Sequence, residues 1–179
     1  PLLRRAYELW SELERAADTR LFHQVGLLQA GPEDGEVVPG VLRSAVEHGL
    51  EVERYSADEL RRKFPGFRAP ENCVGVFERQ AGYLLVEKCV LTHLRLAMQS
   101  GADHQTGHVI QGWSREGGKL VVRTDRGRFE TRKLIVTAGP WAARLLADLR
   151  LPLRVLRKPL HWMAAREPWH NFFGFGGTL

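Results

Sequence analysis

Within Lys133 to Leu146, KLIVTAGPWAARLL, the residue types change in an order that could build a ligand site. Leu134 to Thr137 is a continuous apolar, β-branched run, which predicts a buried strand of a parallel sheet. Ala138 and Gly139 follow, both small enough for a ligand to approach the backbone. Pro140 suits the first position of a helix, where its missing N–H would be unpaired anyway, so a short helix is predicted from Trp141 onward. The free amides and dipole of that first turn point back toward the strand end, where ligands of open α/β sheets gather. A pyrophosphate or a flavin edge would fit there. Strand-to-helix joints also need small residues for packing alone. Spacing by itself leaves both readings open, packing being the commoner.

The surrounding elements must position that joint. Leu3, Ala6, Trp10, Leu13 and Ala17 recur at three- and four-residue spacing and predict a first helix, broken at Asp18-Thr19. Leu21 to Gly31 is strand-like and ends at Gly31-Pro32. A helix is predicted over Glu36 to His48, with Pro39-Gly40 interrupting its start and Gly49 as its stop. Leu50 to Tyr55 alternates as a strand. Ser56 and Glu59 form a capping box for a helix that ends before Pro65-Gly66. VGVFERQAGYLL reads as strand, turn and helix entry, and Val90, Leu91, Leu94, Ala97 and Met98 mark a helical stripe within Glu87 to Gln99. A short strand is expected around His108 to Gln111, giving a second helix–strand joint upstream of the first. Lys119 to Thr124 and Arg128 to Lys133 predict a hairpin turning at Asp125-Arg126-Gly127. Leu151 to Ala165 is strand-like, with Pro159 placed at an edge or bulge. The order is mixed, so the fold class expected is α/β, α+β in part, with two lobes. The dinucleotide fingerprint GxGxxG is absent from these residues: Gly112, Gly117 and Gly118 do not make it, and nothing helical follows Gly174 to Gly177.

Bulk properties remove several function classes. The chain has 179 residues, 44% hydrophobic and 26% charged, a soluble globular balance. No apolar run approaches the roughly 18 residues of a membrane helix, and no basic-then-apolar leader is visible. The net charge of +5 is carried by scattered groups such as Arg4-Arg5, Arg61-Arg62-Lys63 and Arg157-Lys158, interleaved with acids. That is a solvated surface rather than a nucleic-acid stripe, and no nucleic-acid or membrane partner is expected. Cys73 and Cys89 have neither CxxC spacing nor a histidine at ligand spacing, so no zinc site or disulfide framework is expected, which fits a reducing compartment. His104 and His108 are four apart but lack an acidic partner for a metal. His161 beside Trp162 and Arg157 could face a pocket, though a strand histidine and a surface arginine explain them more simply. Tyr83 reads as packing, and Trp10, Trp113 and Trp162 as core or lobe-interface aromatics.

In order along the chain stand AYELWSELE (Ala6 to Glu14), VGLLQAGP (Val25 to Pro32), AVEHGLEVE (Ala45 to Glu53), FPGF (Phe64 to Phe67), PEN (Pro70 to Asn72), GVFERQAGYLLVEKC (Gly75 to Cys89) and KLIVTAGPWAARLL. Together these pieces resemble the middle of the monomeric sarcosine oxidase and N-methyltryptophan oxidase family, within the D-amino-acid-oxidase group of flavoproteins. The resemblance covers nearly the whole chain. It implies a fragment of a two-lobed flavoprotein with a Rossmann-like FAD lobe and a mixed-sheet substrate lobe. Residues 1–19 and 81–150 would belong to the FAD lobe, and 20–80 and 151–179 to the substrate lobe.

The implied reaction is oxidation of a secondary or N-methyl amino acid to an imine, with hydrogen transferred to FAD and then to molecular oxygen, giving hydrogen peroxide. The other implied readings are a D-amino-acid or glycine oxidase, a dehydrogenase of the same group, and a non-catalytic interaction module. Gly139 and Trp141 match the family's FAD-touching glycine and tryptophan, with Thr137 and Ala138 beside them. Ile110 matches a position whose backbone contacts the adenine end, Val109 being the other possible register. The family's GxGxxG strand and flavin-facing basic residues are expected before Pro1. Its covalent flavin cysteine, which neither Cys73 nor Cys89 matches, and its substrate-clamping residues are expected after Leu179. No catalytic residue is therefore expected within these residues, and alone they should neither retain FAD tightly nor fold without exposing an apolar sheet edge. A cytoplasmic location is implied.

Overall fold

Helix α1 (Leu2–Ala17) forms where the apolar three-and-four spacing predicts it. Ala6, Trp10 and Leu13 are half-buried and Ala17 is buried, while Leu3 stays exposed. Asp18 takes φ 46° and stops the helix. Glu14 then organises the chain beyond the stop: its carboxylate accepts the N–H groups of Leu21 at 2.6 Å and Phe22 at 2.7 Å. Burial alone would raise its pKa; those two amides, with the nearby charges of Arg20 and His23, outweigh burial and hold the carboxyl below its ordinary value. This computed structural model describes residues 2–66, 68–157 and 159.

The strand β1 (Phe22–His23) pairs antiparallel with β5 (Tyr83–Leu84). Gly82 leads into β5 so close to β1 that an added Cβ would lie 2.0 Å from the His23 carbonyl oxygen, which only glycine permits. Helix α4 (Val86–Gln99) follows directly and ties back to α1: the rings of His93 and Trp10 meet edge-on at 5.8 Å, and Arg95 donates to the Ala17 carbonyl at 3.0 Å.

β2 (Leu27–Pro32), β3 (Glu53–Tyr55) and β4 (Cys73–Glu78) form an antiparallel sheet in the order β2–β4–β3. α2 (Val37–His48) connects the two outer strands and ends at Gly49, whose φ of 61° lets its N–H reach the Ala45 and Val46 carbonyls. Pro39 does not interrupt α2 as expected, because it falls in the first turn, where no N–H bond is lost. α3 (Ala57–Lys63) starts on the predicted capping box, Ser56 and Glu59 bonding each other reciprocally. Leu60 of α3 presses on Gly75 of β4, where a Cβ would meet its methyl at 2.5 Å. The core there joins Ala30, Tyr55, Leu60, Phe64, Ala69 and Cys73, with Leu28 and Phe77 packed against it.

The α4 stripe is corrected. Cys89 and Thr92 are its buried residues, whereas Leu91 is 65% exposed and Val90 and Met98 each 54%. Periodicity shows which side chains share a face, not which face finds a neighbour.

The described residues up to Ala102 form one compact unit, and a second begins at Asp103. In the second unit β6 (Ile110–Glu116), β7 (Lys119–Thr124) and β8 (Gly127–Thr131) make an antiparallel meander. The expected strand at His108 to Gln111 thus starts later and runs longer. The expected hairpin forms, but Gly127 already pairs with Thr124, so Asp125-Arg126 alone are the loop.

Two expectations fail in this unit and one is met. Leu134 to Thr137 is extended but joins no ladder, and Ile135 is 85% exposed; an apolar run becomes a buried strand only where a neighbouring strand receives it. The short helix expected after Pro140 does form, as a 3-10 turn (Gly139–Trp141), a four-residue helix α5 (Ala142–Leu145) and a second 3-10 turn (Ala147–Leu149). Residues 151–157 form no strand, with Leu151, Leu153 and Val155 about half exposed; the rest of that prediction, with His161, Trp162 and Gly174 to Gly177, lies outside the described residues. All strand pairs among the described residues are antiparallel, so the architecture is mixed α/β built from separate antiparallel sheets.

Candidate functional site

The extended residues 134–138 run past β6 and β7 and leave a groove of about 270 Å³. Ile110, Trp113 and Val122 line it on the sheet side; residues 134–138 and Leu145 line it opposite. Exposure alternates along the extended segment. Leu134, Val136 and Ala138 are half-buried, while Ile135 and Thr137 face outward, the period of a strand without its ladder. The backbone groups of residues 134–137 make no hydrogen bond among the described residues.

Gly139 follows with φ 51°, and an added Cβ there would meet nothing within 4 Å. The Trp141 amide donates to the Ala138 carbonyl at 3.1 Å, closing a tight turn that leaves the Trp141 side chain 67% exposed. Of the five residues expected at a cofactor, Ile110, Thr137 and Ala138 come together on the groove wall. Gly139 and Trp141 form the turn that follows and are not among its lining residues. The alternative position, Val109, has its N–H bonded to the Asp125 carboxylate at 2.8 Å and its carbonyl to the Asp125 amide at 3.2 Å, so its backbone is already committed.

Trp113, Val122 and Leu145 escaped the site reading. Trp113 donates its indole N–H to the Leu145 carbonyl at 3.1 Å. A β-bulge between Ile110 and Gly112 shifts the register just before it. Bulges recur where a strand must re-aim a side chain, but neither bulge nor partner can be read from the residues themselves.

Among the described residues the groove walls hold no acid, no base and no thiol, which suits a binding surface. Its character fits the group expected from the family resemblance: apolar sides for a planar ring and unpaired backbone amides, with Gly139 and its open space in the turn that follows. The other candidates are engaged elsewhere. His108 packs edge-on against Phe129 at 5.5 Å and lies 3.3 Å from the Thr124 hydroxyl. Tyr83 stacks on His23 at 5.0 Å. Arg157 is exposed. Burial pushes both cysteine thiols up, away from reactivity. No group of three or more metal-ligating side chains occurs among the described residues, and none of their helices is long and apolar enough to cross a membrane.

Comparison with known proteins gives these surfaces a context. The model of a family described as FAD dependent oxidoreductase matches residues 1–173. N-methyl-L-tryptophan oxidase of Salmonella dublin is 32% identical over 165 residues, covering 92% of this chain and 44% of that protein. Monomeric sarcosine oxidase of Streptomyces avermitilis is 32% identical over 167 residues, covering 93% of this chain and 44% of that protein. Among solved structures, NikD, an unusual amino acid oxidase essential for nikkomycin biosynthesis, superposes with TM-score 0.71 at 28% identity, covering 79% of this chain and 37% of that one. The chain thus spans less than half the length of the curated relatives it matches.

Proposed function

This chain belongs to the FAD dependent oxidoreductase family, and from that premise we propose that the protein containing it oxidises a secondary or N-methyl amino acid to the imine, with hydrogen peroxide as the second product. The observation that carries the reading is the 32% identity to both N-methyl-L-tryptophan oxidase and monomeric sarcosine oxidase over more than nine-tenths of the chain. FAD, when bound, takes up the hydrogen removed from the substrate's carbon–nitrogen bond, and molecular oxygen is the final acceptor.

The part of these residues is to hold the cofactor. Gly139 and Trp141 would contact it from the turn, Thr137 and Ala138 from the strand end, and Ile110 through its backbone. The groove's lack of ionisable walls supports a binding role here, with proton handling and substrate clamping supplied by other parts of the protein. Residues 1–19 and 81–150 are assigned to the FAD lobe and 20–80 and 151–179 to the substrate lobe. A cytoplasmic enzyme acting on a small amino acid follows from the same reading.

The test is turnover by the full-length protein. Sarcosine, N-methyl-L-tryptophan, glycine and a D-amino acid are offered, with peroxide formation and reduction of an artificial dye measured in parallel. Peroxide from an N-methyl substrate supports the proposal. Turnover of glycine or a D-amino acid alone would move the protein elsewhere in its group. Dye reduction without peroxide would make it a dehydrogenase. A purified protein without flavin absorbance that binds no added FAD would favour the interaction module.

A further inference from the structure

The extended segment and the turn after it lack the usual means of staying in place. Residues 134–137 have no backbone hydrogen bond among the described residues. The bonds within the turn are local: Trp141 N–H to Ala138 O at 3.1 Å, and Leu146 N–H to Ala142 O at 2.9 Å. Local bonds shape a turn but do not anchor it to the sheet. A helix of four residues, as α5 is, does not hold itself together.

Among the described residues, one side-chain bond crosses from sheet to turn. Trp113 on β6 donates its indole N–H to the carbonyl of Leu145, the last residue of α5 and 32 residues away, at 3.1 Å. Carbonyls of a helix's last turn have no partner within the helix, so an outside donor here satisfies a group that would otherwise need water. The base of the anchor is firm, because Trp113 sits in the ladder opposite Val122 of β7. Its ring also lines the groove beside Val122 and Leu134.

We propose that Trp113 is a positioning residue for flavin binding, which holds the Gly139-to-Leu145 turn in place through its indole N–H without itself needing to touch the cofactor. The inference rests on the reading that Gly139 and Trp141 contact FAD. When the turn is tethered, the cofactor meets contacts already in position. When it is not, binding must also order the turn, and affinity falls.

The experiment uses the full-length protein stripped of FAD and titrated with it. Three readouts are followed: the dissociation constant, the visible circular dichroism of the bound flavin, and the urea midpoint of the apoprotein. W113F removes the N–H while keeping a smaller aromatic ring at the groove wall; W141A tests the contact itself. The expected result for W113F is about fivefold to tenfold weaker FAD binding, the scale of one hydrogen bond, with altered flavin dichroism and an unchanged apoprotein midpoint. If W141A weakens binding and W113F does not, the positioning role is overturned while the contact reading stands. If W113F lowers the urea midpoint in step with affinity, Trp113 is only structural and the proposal fails. If neither variant changes affinity, the flavin reading of the turn fails and takes this inference with it.

Discussion

The unit up to Ala102 and the unit from Asp103 both expose apolar side chains but differ in how much core they close. In the first, Leu21, Val38, Leu60 and Val76 are essentially inaccessible, and the central sheet encloses its core through Leu60 against Gly75. In the second, Val121 alone among the described apolar residues is as deeply buried, while Ile135, Trp141, Leu149 and Leu156 are exposed. The first unit closes a core of its own, although Leu3, Val46 and the outer face of α4 stay exposed. The second leaves an extended segment unpaired beside a groove, and that is where the candidate cofactor contacts lie. A surface with unmet hydrogen bonds and open apolar walls can receive a ligand or another strand; a closed core cannot.

The sharpest way to break this contrast is Leu60→Ala. Leu60 is fully buried, so the variant should destabilise the first unit by about 3 kcal/mol, read from urea unfolding. A loss under about 1 kcal/mol would mean that core is less closed than its packing indicates. Next is Gly139→Val. A β-branched residue at φ 51° costs about 1–2 kcal/mol locally, and full-length apoprotein should bind FAD at least about tenfold more weakly by fluorescence titration. Leu60→Ala should leave that affinity largely alone in protein that remains folded, and equal effects of the two variants would erase the distinction.

Glu14→Gln is a smaller test, about 1 kcal/mol at neutral pH, because a charged acceptor for two amides becomes a neutral one. The pKa of Glu14 is lower folded than unfolded. Its contribution is therefore complete above the unfolded value and disappears as pH falls through the folded one. Wild type and variant should converge in acid, and urea midpoints that stay apart there would contradict the assignment. The smallest effect is expected on the outer face of α4. Leu91→Ser should change the stability of the isolated chain by less than about 0.5 kcal/mol and reduce its self-association in sedimentation. A loss above about 1 kcal/mol would show that this face is packed after all.

Much was determined by the residues alone, wherever the determining interactions are local. The capping box at Ser56 and Glu59, the stop at Gly49 and the hairpin around Asp125-Arg126 depend on groups a few positions apart, and all three formed. The mixed α/β class and the family followed from the order of such pieces. Tertiary structure decided what depends on a distant neighbour. The apolar stripe of α4 was visible, yet its Leu91 faces out and Cys89 faces in, because a stripe cannot name its partner. Leu134 to Thr137 has the composition of a buried strand and no ladder, because a strand needs a second backbone as well as suitable side chains. Gly139 and Trp141 could be picked from KLIVTAGPWAARLL, but Trp113 could not. Its part depends on one indole N–H meeting a carbonyl 32 residues away, and only the folded chain brings those two groups within reach.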